Sequence, residues 1–381
     1  MLISLTNSPS TGGGSIDASL PSLPKMTHHH LVFKGSLHNP LLAPRGVWSV
    51  DGKLMVSDTG QNRVFIWNEI PTSEFEEPSL VLGQIETTDT GRNAGHQVNA
   101  STLQYPSGIW SDGKKLIIAD AWNHRVLVWH SMPSTNGQAA DVVIGQPDFM
   151  SNQPNNHQIG ANPTAQTLNW PYGVFSDGTH LWICDTGNRR VLFYEKIPTE
   201  NFKAADEVIG KSNFFERDYE DFQPIWPYSA RINEAGQMAV ADTQYYRVLI
   251  WNDWRTANQQ NADVIIGQPD FSSNGQNQYS LFPKPNAMNW LYDTFFYEKG
   301  IFVVDTGNSR VLWFKEVPKE NNASADNVLG QFDFNTGSEN SNTKLGTDKQ
   351  LYWPFSICVS KQNLILADTG NHRVILYQIK N

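Results

Sequence analysis

Short, almost uninterrupted apolar runs separated by polar turns recur along the whole chain, and one pair near the C-terminus shows the pattern best. Asn363-Leu364-Ile365-Leu366-Ala367 leads into the polar stretch Asp368-Thr369-Gly370-Asn371-His372-Arg373, and Val374-Ile375-Leu376-Tyr377 leaves it. Two β-rich runs around such a turn predict a hairpin, with the glycine supplying a positive φ and the aspartate accepting turn amides. Five earlier stretches repeat it: Asp58–Arg63, Asp120–Arg125, Asp185–Arg190, Asp242–Arg247 and Asp305–Arg310, each with a valine directly after the arginine. These aspartates and arginines, with Asp368 and Arg373, are expected to cap and pair within the turn, as structural rather than metal-binding groups.

Two further motifs alternate with the hairpins. One is a β-rich run ending at glycine, as in Asp141-Val142-Val143-Ile144-Gly145-Gln146-Pro147-Asp148-Phe149. The other is an aromatic or small residue followed by proline, as in Tyr105-Pro106, Trp170-Pro171, Trp226-Pro227 and Trp353-Pro354. Proline suits the start of a strand, where its missing N–H is not needed. Each repeat therefore holds four strands. The hairpin runs are apolar on both faces rather than alternating, so the sheets must be covered on both sides. Six such units predict an all-β, six-bladed β-propeller of four antiparallel strands per blade.

The last repeat lacks its fourth strand, and Leu31-Val32-Phe33-Lys34-Gly35-Ser36, before the first proline motif, resembles it. An N-terminal strand completing the last blade is expected to close the ring and hide a sheet edge. Residues 1–26 read as a disordered leader and 27–381 as one propeller domain. The leader has neither a basic start nor an apolar core, so no signal peptide is indicated and a cytoplasmic location is expected. No run of about 18 apolar residues predicts a membrane span. The net charge of −10 lacks the basic footprint that nucleic acid requires. Cys184 and Cys358 lie in strand runs of different repeats and are expected to be buried thiols.

The Asp-x-x-Asn-His-Arg-Val spacing, with Asn123-His124-Arg125 and Asn371-His372-Arg373 carrying the signature outright, resembles the NHL repeat, and the Gly-Gln-Pro-Asp-Phe segment is similar to bacterial NHL-repeat proteins. The resemblance covers about residues 31–381 and implies a six-bladed propeller. Amidating lyases of that family use a histidine-bound zinc, but the histidines here form no ligand-spaced set. Neither a nucleophile elbow nor a phosphate-binding glycine loop occurs. No catalytic residue, metal site or cofactor is therefore assigned.

The aromatic positions flanking the prolines are the best candidates for a site. The residue after the proline, or after Leu291 that replaces it in the fifth repeat, gives Arg45, Tyr172, Tyr228, Tyr292 and Phe355, with Asp293 beside them, and these six are expected to line an axial funnel. The residue before the proline, mostly tryptophan, is expected to pack between blades. The connections Ile85–Gln104, Met150–Asn169, Ser212–Ile225, Ser272–Asn289 and Asn335–Tyr352 are long and polar, and such loops on a rigid ring carry recognition. The expected function is non-catalytic binding of a protein, peptide or small ligand at this face, by a monomer without nucleic-acid or membrane partners. The competing expectation is a metal-dependent lyase or hydrolase using the same funnel.

Overall fold

The computed structural model of the chain describes residues 26–157, 160–343, 347 and 349–379. The expected leader therefore lies outside the described residues, except for Met26. Six four-stranded antiparallel sheets form the blades of a propeller. Blade three is representative, with an inner strand Pro171–Ser176, then Leu181–Asp185, Arg190–Tyr194 and a short outer strand Glu207–Ile209. Each inner strand packs against the inner strand of the next blade, and the sixth, Pro354–Ser360, packs against the first, Gly46–Val50. In the sixth sheet the strand Met26–Phe33 lies outside Arg373–Ile379, with Val32 opposite Ile375 and Phe33 opposite Val374.

The middle strands are buried along nearly their full length, with only Lys53, Asn363 and Gln378 at strand ends reaching solvent, as the continuous apolar runs require, because each sheet face meets a neighbouring blade. The large residues ending the third strands, including Trp67, Trp129 and Trp251, are fully buried. The indole N–H groups of these three donate to Glu76 O, Gln138 O and Gln260 O at 3.0, 3.1 and 3.0 Å, so their burial leaves no indole donor unmade.

The repeated turn differs from its expected form. The three residues after the aspartate form a single 3-10 turn, and the positive φ falls on the residue before the arginine: Asn62, His124, Arg189, Tyr246, Ser309 and His372. The turn glycine is needed for close approach instead. A Cβ at Gly187 would lie 2.6 Å from Asn169 O, to which the Gly187 N–H donates at 2.8 Å. The aspartates also accept from elsewhere than their own turn: Asp185 Oδ1 takes the N–H of Asn169 at 2.7 Å, sixteen residues upstream.

Asp185 Oδ2 meets Arg190 Nε at 2.7 Å with both side chains fully buried, and the other five turns pair at 2.6–2.9 Å. The spare guanidinium donors of Arg190 reach Phe214 O at 2.6 Å, Thr164 O at 2.8 Å and Thr167 O at 3.0 Å. Arg125, Arg190, Arg247 and Arg310 thus tie their hairpins to the loops on both sides, each taking the carbonyl of a phenylalanine on the following side, whereas, among the described residues, Arg63 reaches only the following loop and Arg373 only the preceding one. Burial pushes the carboxyls of Asp120, Asp185, Asp305 and Asp368 upward, and the paired arginine pulls each back.

Neighbouring blades are joined by the turn threonine. Thr59, Thr186, Thr243 and Thr306 donate to the carbonyl opening the next inner strand at 2.5–2.7 Å. Thr369 donates to Pro44 O at 2.5 Å, which carries the same link from blade six to blade one. Blade two has Ala121 at this position and lacks the link.

Candidate functional site

The inner strands begin on the face that carries the hairpin turns and long loops, so the residues around each proline surround the axis there. The side chains after the proline make a closed circle. Tyr172 stacks on Tyr228 at 4.7 Å, Tyr228 meets Tyr292 edge-on at 4.5 Å, and Tyr292 stacks on Phe355 at 4.2 Å. Arg45 closes it, its guanidinium 4.1 Å from the Phe355 ring and 4.9 Å from the ring of Tyr105, which reaches in from the second blade. Tyr105 in turn meets Tyr172 at 6.4 Å. Burial pushes the Tyr105 phenol up to about 12, and those of Tyr172 and Tyr292 further, so all three stay protonated.

This circle plugs the axis rather than lining an open funnel. Tyr228 and Phe355 are 6% and 5% exposed, and only a void of about 20 Å³ lies within the ring. Beneath it, Asp293 is 3% exposed and bridged to Arg231 at 2.9 Å, with further bonds from Ser356 Oγ at 2.9 Å and Ile357 N–H at 3.2 Å. Of the six expected funnel residues, Arg45, Tyr172 and Tyr292 keep a partly exposed edge, while Tyr228, Phe355 and Asp293 are interior. Six converging strands leave room for about one layer of large side chains, and these residues fill it. Arg231 was missed by sequence reasoning. Its signal is positional, since it stands four residues after Pro227, where the other repeats have Trp48, Trp110, Phe175, Phe295 and Cys358.

The residues before the proline behave oppositely to expectation. Trp170, Trp290 and Trp353 are 40%, 44% and 46% exposed, and Tyr105 and Trp226 are half-buried. Tyr105, Trp170, Trp290 and Trp353 have φ between 47° and 55°, a left-handed conformation unfavourable for bulky residues. Three of them, Tyr105, Trp170 and Trp353, are held there by the positive-φ residue of the preceding blade's turn. The Trp170 N–H donates to His124 Nδ1 at 3.1 Å, Tyr105 to Asn62 Oδ1 at 3.1 Å and Trp353 to Ser309 Oγ at 3.3 Å. The same bond runs from Ala43 N–H to His372 Nδ1 at 3.1 Å. The signature histidine thus acts as an acceptor between blades, and the result is a collar of aromatic faces around the plug.

Acting as an acceptor requires His124 to be neutral, and burial lowers its pKa to about 4. Because this folded value lies below the unfolded one, the unfolded chain binds the extra proton first. The contribution of His124 is full above about pH 6.5 and is lost as pH falls toward 4. The melting temperature is expected to drop between pH 7 and pH 4.5, and His124→Gln to show a smaller drop; identical pH profiles would remove His124 from this role.

Between blades five and six the collar opens into a cavity of about 460 Å³, bounded by Trp290, Trp353, Tyr292, Arg45 and Glu339. Trp122 adds a further face, stacked on Tyr105 at 4.5 Å. Among the described residues no three His, Cys, Asp or Glu side chains converge in a way that would hold a metal ion. Cys184 and Cys358 are buried free thiols. No helix among the described residues is long and apolar enough to cross a membrane.

The architecture is that of a six-bladed β-propeller. No family profile matches the chain, and no curated protein does. Solved structures to which it is similar include a catalytically inactive virginiamycin B lyase from Staphylococcus aureus with quinupristin, at 9% identity and TM-score 0.47, covering 92% of this chain and 99% of that one. Kuenenia stuttgartiensis hydrazine synthase follows at 12% identity and TM-score 0.47, covering 89% of this chain and 77% of that one. A streptogramin B lyase is similar at 10% identity and TM-score 0.45, covering 92% and 98%. At such identities the likeness concerns the fold alone.

Proposed function

We propose that this is an NHL-type propeller serving as a cytoplasmic, monomeric binding module, whose ligand lies across the aromatic collar of the loop-bearing face. The observation carrying this reading is the collar itself. Large aromatic rings are held exposed in a strained backbone, which has a cost and persists only where the surroundings impose it. Flat aromatic faces beside one guanidinium and one carboxylate, Arg45 and Glu339, suit a peptide or small molecule that carries a ring or a sugar-like face. Arg45, Tyr172 and Tyr292 would meet that ligand through their exposed edges, with Trp290 and Trp353 as its walls. Tyr228, Phe355 and Asp293 would support the plug from below.

The test is a screen of the full chain against saccharide and peptide arrays, followed by calorimetry on the hits. Trp290→Ala and Trp353→Ala are expected to weaken binding at least tenfold, with a melting temperature close to that of the unaltered protein. Hits that bind both variants at full strength would place the site elsewhere. A lyase or hydrolase reading is the competing one, and stoichiometric Zn²⁺ or Ca²⁺ in the purified protein, with turnover lost on its removal, would favour it.

A further inference from the structure

A second cavity lies at the other end of the axis, on the face bearing the turns between first and second strands. It holds about 820 Å³, within the range of sites that take whole small molecules. Three of its aromatic walls come from alternate blades: Trp48 from the first, Phe175 from the third and Phe295 from the fifth. All three rings are only partly buried, and Trp48 stands between the others at 6.5 Å from Phe175 and 6.4 Å from Phe295. The Trp48 indole N–H is fixed on Ser111 O at 2.8 Å, so the walls are set before any ligand arrives.

Arg231 forms the inner end of this cavity. It is 7% exposed, and its terminal nitrogens are engaged by Asp293 at 2.9 Å and by Ala230 O at 3.2 Å. Its Nε–H, however, is buried without an acceptor. A buried donor left unmade costs about 1–3 kcal/mol, which a ligand acceptor would recover. Asp293 already balances the guanidinium charge, and the mouth carries Glu234 and Glu298 against Lys361. The site therefore offers a hydrogen bond but no net attraction for an anion.

We propose that this opposite mouth is a second binding site, taking a neutral, planar, ring-bearing small molecule whose carbonyl-type oxygen accepts from Arg231 Nε. It is independent of the aromatic collar, from which the plug and the Asp293–Arg231 layer separate it.

The experiment uses the full chain and the fluorophore Prodan, a neutral naphthalene ketone, with the sulfonate ANS as its anionic counterpart. Saturable one-to-one Prodan binding is expected, with ANS at least tenfold weaker. Ala235→Trp, an exposed change at the rim that leaves the core untouched, is expected to weaken Prodan at least tenfold by filling the mouth. Arg231→Lys keeps the charge toward Asp293, lacks the Nε–H, and is expected to lose binding to a similar degree. Trp353→Ala, on the other face, is expected to leave it unchanged. Unsaturable Prodan binding, full binding by Ala235→Trp, equal binding of ANS, or loss in Trp353→Ala would each overturn the proposal. If Arg231→Lys melts early, Ala235→Trp and the ANS comparison still decide it.

Discussion

Arg190→Met is expected to lower stability by about 3–5 kcal/mol, because it leaves the buried Asp185 carboxylate without its counter-charge. Neither side chain of this pair touches solvent, and the arginine also holds three loop carbonyls, from Phe214, Thr164 and Thr167. Methionine fills much of the volume, so the loss reports charge and hydrogen bonding more than cavity formation. Urea denaturation followed by tryptophan fluorescence measures it. The double change Asp185→Leu with Arg190→Met is expected to recover part of the loss, since removing both charges also removes the cost of burying them. A loss below about 1 kcal/mol for Arg190→Met would show that the pair is incidental, like an ordinary surface ion pair.

Removal of residues 1–36 is expected to lower the melting temperature by roughly 5 °C or more, whereas removal of 1–25 leaves it nearly unchanged. The difference resides in the strand Met26–Phe33 and above all in Phe33, which is fully buried and meets the Trp67 ring edge-on at 4.9 Å. Phe33 belongs to the core shared by blades one and six. Losing a buried phenylalanine costs about 3–5 kcal/mol, and with an unfolding entropy of about 2 cal/mol/K per residue a chain of 381 residues shifts by roughly 1 °C per kcal/mol, so Phe33 alone accounts for about 4–6 °C. The shorter chain would also bare the edge of Arg373–Ile379, so concentration-dependent association by size-exclusion chromatography is expected with it. Equal melting of both truncations would mean that Thr369, His372 and the packing of inner strands hold the ring without this strand.

Much of the architecture was legible because it depends on local rules applied six times. The Asp-to-Arg spacing, the apolar runs and the proline that opens each inner strand each act over a few residues, and repetition makes them visible against the varying loops. The functional surface was harder to read, and the turn motif shows why. The glycine in Asp-Thr-Gly was assigned to backbone freedom, although Gly187 is needed because Asn169 O lies against it and the positive φ falls on Arg189. The partner that matters is sixteen or more residues away in the chain, and a turn rule cannot see it. The tryptophans misled for a similar reason. Trp170 is turned outward by a bond from its own N–H to His124 of the preceding blade, a contact between repeats rather than within one.

By itself, the sequence of this protein determined six units of four strands and the pairing of every repeated aspartate with its arginine, since hydrogen-bond chemistry and hydrophobic periodicity operate at short range. The tertiary structure alone decided what each repeated aromatic does. Closing six inner strands around one axis leaves a fixed small volume, which Tyr172, Tyr228, Tyr292, Phe355 and Arg45 fill. It also brought Arg231 and Asp293, 62 residues apart, together beneath that plug. The rings with no room at the axis, Trp170, Trp290 and Trp353 on one face and Trp48, Phe175 and Phe295 at the other mouth, keep exposed surface.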